Sequence, residues 1–185
     1  MSILVTYATK HGATQGIAER IAERLCSAGL QAVALPTDAV DNVGAYDGVV
    51  VGSAVYYFHW MKDALRLLRS NRELLAERPV WMFSSGPLGT EETDPQGRDV
   101  RALPTPESVP PMMRRAVQEL DDLQREIGVR DHHVFFGAFQ QGKPKGFGER
   151  LTMRMPAARA AFPVGDFRDW REIDAWAEGI AKELA

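Results

Sequence analysis

The sequence predicts a three-layer α/β fold in which helices cover both faces of a doubly wound, five-stranded parallel sheet. Short runs of β-branched residues alternate with amphipathic segments from one end of the chain to the other. The run at 47–54 is apolar almost throughout, as expected of a strand covered on both faces. No linker or internal repeat divides the 185 residues. We therefore expect a single domain over residues 1–185.

The first half of the chain contains three of the expected strands. Residues 3–7 form a short apolar run, and apolar residues then recur at helical spacing until Gly29, which is placed to end a helix. Residues 31–35 form the second run, which Pro36 ends. The third strand, at 47–54, is expected to be central because it lacks a polar face.

The second half repeats this alternation. An apolar stripe predicts a helix that begins near Met61 and ends before Pro79. The fourth and fifth strands are expected at 80–85 and 132–139. The remaining predicted elements are helices at 112–127 and 170–184 and a long surface loop at 86–111.

Composition excludes several functional classes. The net charge of −3 provides no field that would attract nucleic acid, so we expect no nucleic-acid partner. No stretch reaches the roughly 20 apolar residues that span a bilayer, and the first residues lack a basic leader, which predicts a cytoplasmic protein. The single cysteine, Cys26, is expected to be a buried thiol. His132 and His133 lack a partner at metal-ligand spacing, so no metal site is expected.

The loop after the first strand has the composition of a phosphate-binding loop. Its residues are Thr9, Lys10, His11, Gly12, Ala13 and Thr14. Hydroxyls and backbone N–H groups at a helix N-terminus favour an anion, although a threonine there can simply cap the helix. The spacing matches neither GxxxxGK nor GxGxxG, which argues against tightly bound ATP or NAD. A phospho-receiver domain would need carboxylates that the first strand lacks.

These residues resemble a known family. YATKHGAT at 7–14 is similar to the phosphate loop of flavodoxins. VVVGSAVYYFHWMKDAL at 49–65 and the ending DFRDWREIDAWAEGIAKEL resemble the flavodoxin-like, menaquinone-dependent protoporphyrinogen oxidases. The resemblance implies strand order 2-1-3-4-5, with FMN at the switch between the first and third strands, a placement taken from the flavodoxin fold. A deazaflavin would suit the loop equally, because it differs from a flavin in one ring atom and not in the phosphate.

The resemblance also implies the other cofactor contacts. Aromatic side chains after the third strand can stack on a flat isoalloxazine ring, and small residues after the fourth permit close backbone approach. The expected contacts in these two loops are Ser53, Ala54, Val55, Tyr56, Tyr57, Ser84, Ser85, Gly86 and Pro87. His59 is the candidate catalytic proton donor, although a lone histidine is more often a structural hydrogen-bonding group.

A basic segment at about 140–163 is expected to be an insertion in the domain. Its charged residues are Lys143, Lys145, Glu149, Arg150, Arg154 and Arg159. Its apolar residues Phe147, Leu151 and Met155 recur every four positions. This pattern fits a solvated loop, or a surface that docks a membrane, a quinone or a second subunit of a homodimer.

Three functions remain open on the sequence. The first is an FMN oxidoreductase like the quinone-linked protoporphyrinogen oxidases, and it is favoured because Lys10 and His11 would stabilise a reduced, anionic flavin. The second is an electron shuttle whose partners are redox proteins. The third is a module in which the flavin is structural.

Overall fold

The structure, a computed structural model, describes residues 1–56, 58–86, 93, 99–139 and 164–185. Two of the predicted cofactor contacts, Tyr57 and Pro87, lie outside these residues. The basic segment at 140–163 lies outside them as well. The predictions made for those positions therefore stay predictions.

One sheet organises the described chain. Its five long strands are β1 (Ser2–Ala8), β2 (Gln31–Pro36), β3 (Gly48–Tyr56), β5 (Val80–Ser85) and β6 (Asp131–Phe135). They run parallel in the order β2-β1-β3-β5-β6, and a short strand β4 (His59–Trp60) pairs antiparallel with the end of β3. Counted over the long strands, this is the predicted order 2-1-3-4-5. The flavodoxin-like α/β fold class is confirmed.

Helices cover both faces of the sheet. The five α-helices of the described residues are α1 (Ala13–Ser27), α2 (Lys62–Ser70), α3 (Arg72–Ala76), α4 (Pro111–Ile127) and α5 (Trp170–Leu184). Helices α1 and α5 pack on one face, and α2, α3 and α4 pack on the other. None of these helices is both long and apolar enough to cross a membrane. The helix predicted from Met61 is divided at Asn71, between α2 and α3.

Two cores result from the period-2 alternation of buried strands. Along β1, Ile3 and Val5 face α1 and α5, whereas Leu4 faces α2 and α3, and all three are fully buried. Because helices cover both faces of the sheet, the sequence of the strand is largely apolar and does not alternate between apolar and polar residues. This burial fixes the register of β1 and so the position of the loop that follows it.

Two sequence predictions about this frame are wrong. The fifth strand, expected at 132–139, ends at Phe135, and strand β7 (Ala138–Phe139) pairs instead with β8 (Gly165–Asp166) in a separate two-stranded sheet. An apolar run shows that residues are extended but not which strand receives their hydrogen bonds. Cys26 is exposed rather than buried, because it lies one position beyond buried Leu25 on the solvent side of α1.

Candidate functional site

The carboxyl ends of β1, β3 and β5 meet at one edge of the sheet. The parallel register aligns Ala8 with Ser53 and Ala54 with Ser85, so the loops after these strands start side by side. The chain leaves β1 towards β2 on one side and lies against β3 on the other, which creates a crevice between the loops after β1 and β3. Contact across this crevice is direct, since Lys10 Nζ lies 5.7 Å from the centroid of the Tyr56 ring.

The loop after β1 turns sharply into helix α1. Gly12 has φ +88°, a left-handed conformation that a side chain would strain, and its N–H donates to Thr9 Oγ1 at 3.0 Å. The helix continues from Ala13, and the Gly12 carbonyl accepts from Gly16 N at 3.1 Å. The first backbone N–H groups of a helix have no acceptor within it, so this turn presents donors at the crevice.

Thr14, in the first turn of α1, has an unusual environment for a polar side chain. Its side chain is fully buried, and Oγ1 has no hydrogen-bond partner among the described residues. A buried hydroxyl without a partner costs about 1–3 kcal/mol, so an acceptor or donor supplied by a ligand would relieve that cost. The first turn also carries no acidic side chain that would oppose an anion. These observations fit a phosphate group.

A tight hairpin follows β3 at the same edge. Backbone pairs join Val55 to Trp60 and Tyr56 to His59. Phe58, at the turn, has φ +63°, which is rare for an aromatic residue and which costs strain of the kind found at functional sites. Tyr56 and Phe58 are exposed, and so is His59. The hairpin therefore presents two aromatic rings and an imidazole beside the phosphate loop.

The structure brings the described members of the predicted site together, but some side chains are already engaged. Ser53 is fully buried, accepts from Met61 N at 2.9 Å and donates to the Ala54 carbonyl at 2.9 Å. Gly86 begins the third loop against the hairpin, since a Cβ there would lie 3.3 Å from Val55 Cβ. The backbone at Gly86 can approach a ligand closely because this residue has no side chain. Ser85 is buried beside it.

A family model described as the flavodoxin domain matches residues 4–161 of this chain. The chain belongs to the flavodoxin domain family. Solved structures share the fold at low sequence identity. Flavodoxin 1 from Bacillus cereus is 13% identical to this chain, with a TM-score of 0.59 and an alignment that covers 100% of each chain. Flavodoxin 2 from Bacillus cereus is 17% identical, with a TM-score of 0.58 and an alignment that covers 99% of each chain. The rubredoxin oxygen:oxidoreductase of Desulfovibrio gigas aligns at 13% identity and TM-score 0.58 over 99% of this chain but 36% of its own length. No match was found among curated protein sequences.

FMN is the cofactor that membership of the flavodoxin family indicates. The residues of the crevice fit its parts. The buried Thr14 hydroxyl, which no described residue hydrogen-bonds, and the turn at Gly12 fit the phosphate, and the exposed ring of Tyr56 fits an aromatic face. The described residues contain no cluster of three or more side chains that could hold a metal ion.

A buried polar chain lies beneath the hairpin of this flavodoxin domain. Trp60 Nε1–H donates to Ser84 Oγ at 2.9 Å, Ser84 Oγ lies 2.9 Å from His132 Nε2, and His132 Nδ1 lies 2.9 Å from Gln124 Oε1. Because Gln124 Oε1 only accepts, the imidazole donates through Nδ1 and accepts from the Ser84 hydroxyl through Nε2. The Ser84 side chain, predicted to contact the cofactor, is thus committed to the interior. The sequence analysis considered His132 only as a metal ligand and missed this structural role, for which a histidine within a predicted strand was the only signal.

Acid is expected to destabilise the flavodoxin domain through His132. Burial lowers the pKa of His132 from 6.5 to about 4, so between these values the unfolded chain binds a proton that the folded protein does not. Stability should therefore fall as pH falls through this window, by about 2 kcal/mol between pH 7 and pH 5. Urea unfolding across this range measures the loss. His132→Gln should flatten that part of the profile; an equal slope in wild type and His132→Gln would contradict the assignment.

Arg168 clamps the start of α1 in this flavodoxin domain. Its guanidinium forms two hydrogen bonds with Asp166, at 2.8 and 2.6 Å, and Nη1 donates to the Ala13 carbonyl at 3.4 Å. The group lies 4.4 Å above the Trp170 ring and only 2.4 Å from where a Cβ of Gly16 would be. A glycine inside a helix costs about 1 kcal/mol, and here it makes room for the guanidinium.

Gly16→Ala should therefore destabilise the protein, although alanine is the better helix former. The added Cβ displaces the Arg168 guanidinium from α1, and we expect a loss of about 1 kcal/mol or more. In an Arg168→Ala background the same substitution should instead stabilise, by roughly 0.5–1 kcal/mol, because only the helix preference remains. Chemical unfolding of the four proteins measures this reversal of sign. The same sign in both backgrounds would show that Arg168 is not the reason for the glycine.

Proposed function

We propose that this flavodoxin domain is an FMN-dependent oxidoreductase that takes hydride equivalents from an organic substrate and delivers them to a quinone. The observation that carries the proposal is the contact of Lys10 with Tyr56, which places a cation where the phosphate loop meets the aromatic hairpin. A cation at this rim favours a reduced, anionic ligand by direct Coulomb attraction. The resemblance of residues 49–65 to protoporphyrinogen oxidases makes a porphyrinogen the first substrate to test.

In this proposal the protein binds and orients, and bound FMN supplies the redox chemistry. The turn at Gly12 and the Thr14 hydroxyl hold the phosphate, and the exposed hairpin rings face the cofactor and the substrate. His59 is the proposed proton donor at an imidazole nitrogen. It is exposed on β4, and backbone pairing with Tyr56 fixes its strand beside the crevice. An imidazole side chain can serve as a general acid or base in catalysis.

An electron shuttle is the second candidate, and the likeness to a flavodoxin along the whole chain supports it. This chain and Flavodoxin 1 from Bacillus cereus each cover 100% of the other. A shuttle needs only FMN at the sheet edge and a redox protein as partner. It has no need for His59.

Anaerobic mixing separates the two candidates. The FMN-loaded protein, reduced chemically, is mixed with a soluble naphthoquinone or with cytochrome c. An oxidoreductase should reoxidise fastest with the quinone, and His59→Gln should slow that reaction at least tenfold while leaving FMN affinity unchanged. Lys62→Gln, which changes a neighbouring exposed residue at the start of α2, is the matched control. Faster reoxidation by cytochrome c, with no effect of His59→Gln, would favour the shuttle.

The proposed quinone and membrane contact would use the basic segment at 140–163. Each cation near an anionic lipid surface contributes about 1 kcal/mol, so several would bind the protein reversibly and in a salt-sensitive way. Replacing Lys143, Lys145, Arg150 and Arg154 with Gln should abolish sedimentation with anionic vesicles and reduce turnover with long-chain quinones. Turnover with a small, soluble quinone should survive. If the wild type fails to bind vesicles at low salt, the segment is a solvated loop or a dimer contact.

A further inference from the structure

Trp60 is the most deeply buried of the described side chains in the aromatic hairpin. Trp60 is 4% exposed, whereas its neighbours Phe58 and His59 are exposed. Its ring packs edge-on against His132, with centroids 5.4 Å apart, and its Nε1–H donates to Ser84. The hairpin has two backbone pairs to β3 and the strained turn at Phe58, so its own hydrogen bonds give it little rigidity.

The hydrogen bonds of the polar chain behind Trp60 all donate in the same direction, from Trp60 towards Gln124. The Ser84 hydroxyl accepts from Trp60 and donates to His132, which in turn donates to Gln124 on α4. Every polar group in this chain is satisfied only while the imidazole is neutral. A protonated Nε2 would point a second donor at Ser84 Oγ, and the Ser84 hydrogen would lose its acceptor inside the protein.

The surroundings keep the imidazole neutral. The groups that touch it from β4, β5 and α4 are Trp60, Ser84 and Gln124, and none carries a charge. On its own strand, Asp131 favours and His133 opposes a charge on His132, but the Asp131 carboxylate accepts from Trp176 Nε1 at 2.6 Å and faces α5. His132 is therefore a fixed acceptor and not a proton carrier at neutral pH.

We propose that His132, acting through Ser84, is a positioning residue that fixes Trp60 and so holds the hairpin with Tyr56 and His59 against the FMN crevice. The effect reaches the cofactor through the hairpin, because the contacts of Ser84 and His132 lead to Trp60. The inference rests on the proposed function in one respect, namely that the hairpin borders FMN. The anchoring of the hairpin itself can be measured in protein without FMN.

The experiment compares Ser84→Ala and His132→Gln with two controls. His133→Gln changes the neighbouring histidine, which lies on the opposite face of β6, 3.0 Å from Glu172 Oε1. Ile180→Val removes a methyl group from the other core and provides a variant of lower global stability with an intact hairpin. Amide hydrogen exchange at 55–60 is measured in the FMN-free proteins at conditions of equal global stability. FMN dissociation constants and the midpoint potential of bound FMN are then measured in all five proteins.

Both network variants should raise exchange at 55–60 about tenfold or more relative to the controls. They should also weaken FMN about three- to tenfold and shift its midpoint potential, because a loose hairpin contacts the ring less closely. Exchange at 55–60 that follows global stability in all variants would overturn the anchoring. Looser hairpins with unchanged FMN affinity and potential would overturn the positioning role. Wild type that binds no FMN would refute the FMN assignment instead, while the exchange result still decides the anchoring.

A third variant covers the case in which the two network variants fail to fold. Trp60→Phe removes the Nε1 donor and keeps a ring against His132, so its folding cost is small. It should reproduce the faster exchange and the weaker FMN binding. Wild-type behaviour of Trp60→Phe in both measurements would overturn the proposal.

Discussion

Replacing Thr14 with valine is expected to weaken FMN binding by about 1.5–3 kcal/mol, or roughly 10- to 150-fold, without destabilising the FMN-free protein. Thr14 is fully buried, and its Oγ1 has no partner among the described residues, so no described group stabilises that hydroxyl by a hydrogen bond. Valine fills nearly the same volume and has the same β-branched shape. Threonine has an advantage over valine at this position only if a ligand such as the FMN phosphate forms a hydrogen bond with the hydroxyl.

Thr6→Val is the matched control for this prediction. Thr6 is also fully buried, and its Oγ1 has no partner in the described part of the chain, but it lies within β1 rather than in the phosphate loop. Both substitutions should hold or raise the melting temperature of the FMN-free protein, and only Thr14→Val should raise the dissociation constant in a fluorescence titration. Thr14→Ala should weaken FMN to a similar extent but also lose stability through the cavity it leaves. Equal FMN affinity in Thr14→Val and wild type would remove Thr14 from the phosphate site.

Gly52→Ala is expected to cost about 3 kcal/mol of folding stability or more. Gly52 lies in central strand β3, and a Cβ there would stand 2.0 Å from Phe83 Cζ. The Phe83 ring cannot move aside easily, because it is fully buried between Phe135 and Trp176, with centroids 5.9 and 6.2 Å away. The absence of a side chain at Gly52 thus leaves the space that the Phe83 ring fills.

Urea unfolding of a small set of variants tests this packing. Gly179→Ala, in α5, adds a Cβ with no described atom within 4 Å and should gain roughly 0.5–1 kcal/mol. Combining Gly52→Ala with Phe83→Leu should recover part of the loss, because the smaller side chain vacates the contested volume. A Gly52→Ala protein of wild-type stability would mean that the Phe83 ring has another place to lie.

Local periodicity in the sequence was sufficient to predict most of the strands and helices of the fold. The strand Val80–Ser85 and the helix Trp170–Leu184 have the predicted bounds to the residue, because a short apolar run directly after Pro79 favours a strand and a long amphipathic repeat favours a helix. The hairpin with β4 was not predicted. Its turn contains no glycine or asparagine, and Phe58 itself adopts the positive φ, so the usual signal of a tight turn is absent.

The candidate site was predictable only in part, for a similar reason. Loop composition placed Thr9, Gly12 and Thr14 at one helix start, since the residues that form a phosphate loop are neighbours in sequence. The contact of Ser84 with His132 joins residues 48 positions apart, and no local pattern reports it. Gly16 did carry a signal, because a glycine within a helical repeat needs a packing reason, but the sequence does not show that the reason is Arg168.

The packing of α1 against α5 has a consequence for synthesis of the protein. Arg20 of α1 pairs with Asp174 of α5 at 2.6 and 2.7 Å, across 154 positions of sequence. A ribosome adds about 5–20 residues per second. The phosphate loop and α1 are therefore synthesised many seconds before α5, the helix that packs on α1. During that interval the apolar side of α1, with Ile17, Ile21 and Leu25, lacks its cover. We expect nascent chains truncated before α5 to bind chaperones and to acquire FMN poorly, so cofactor loading is a late, post-synthetic event although the loop that holds the phosphate is made first.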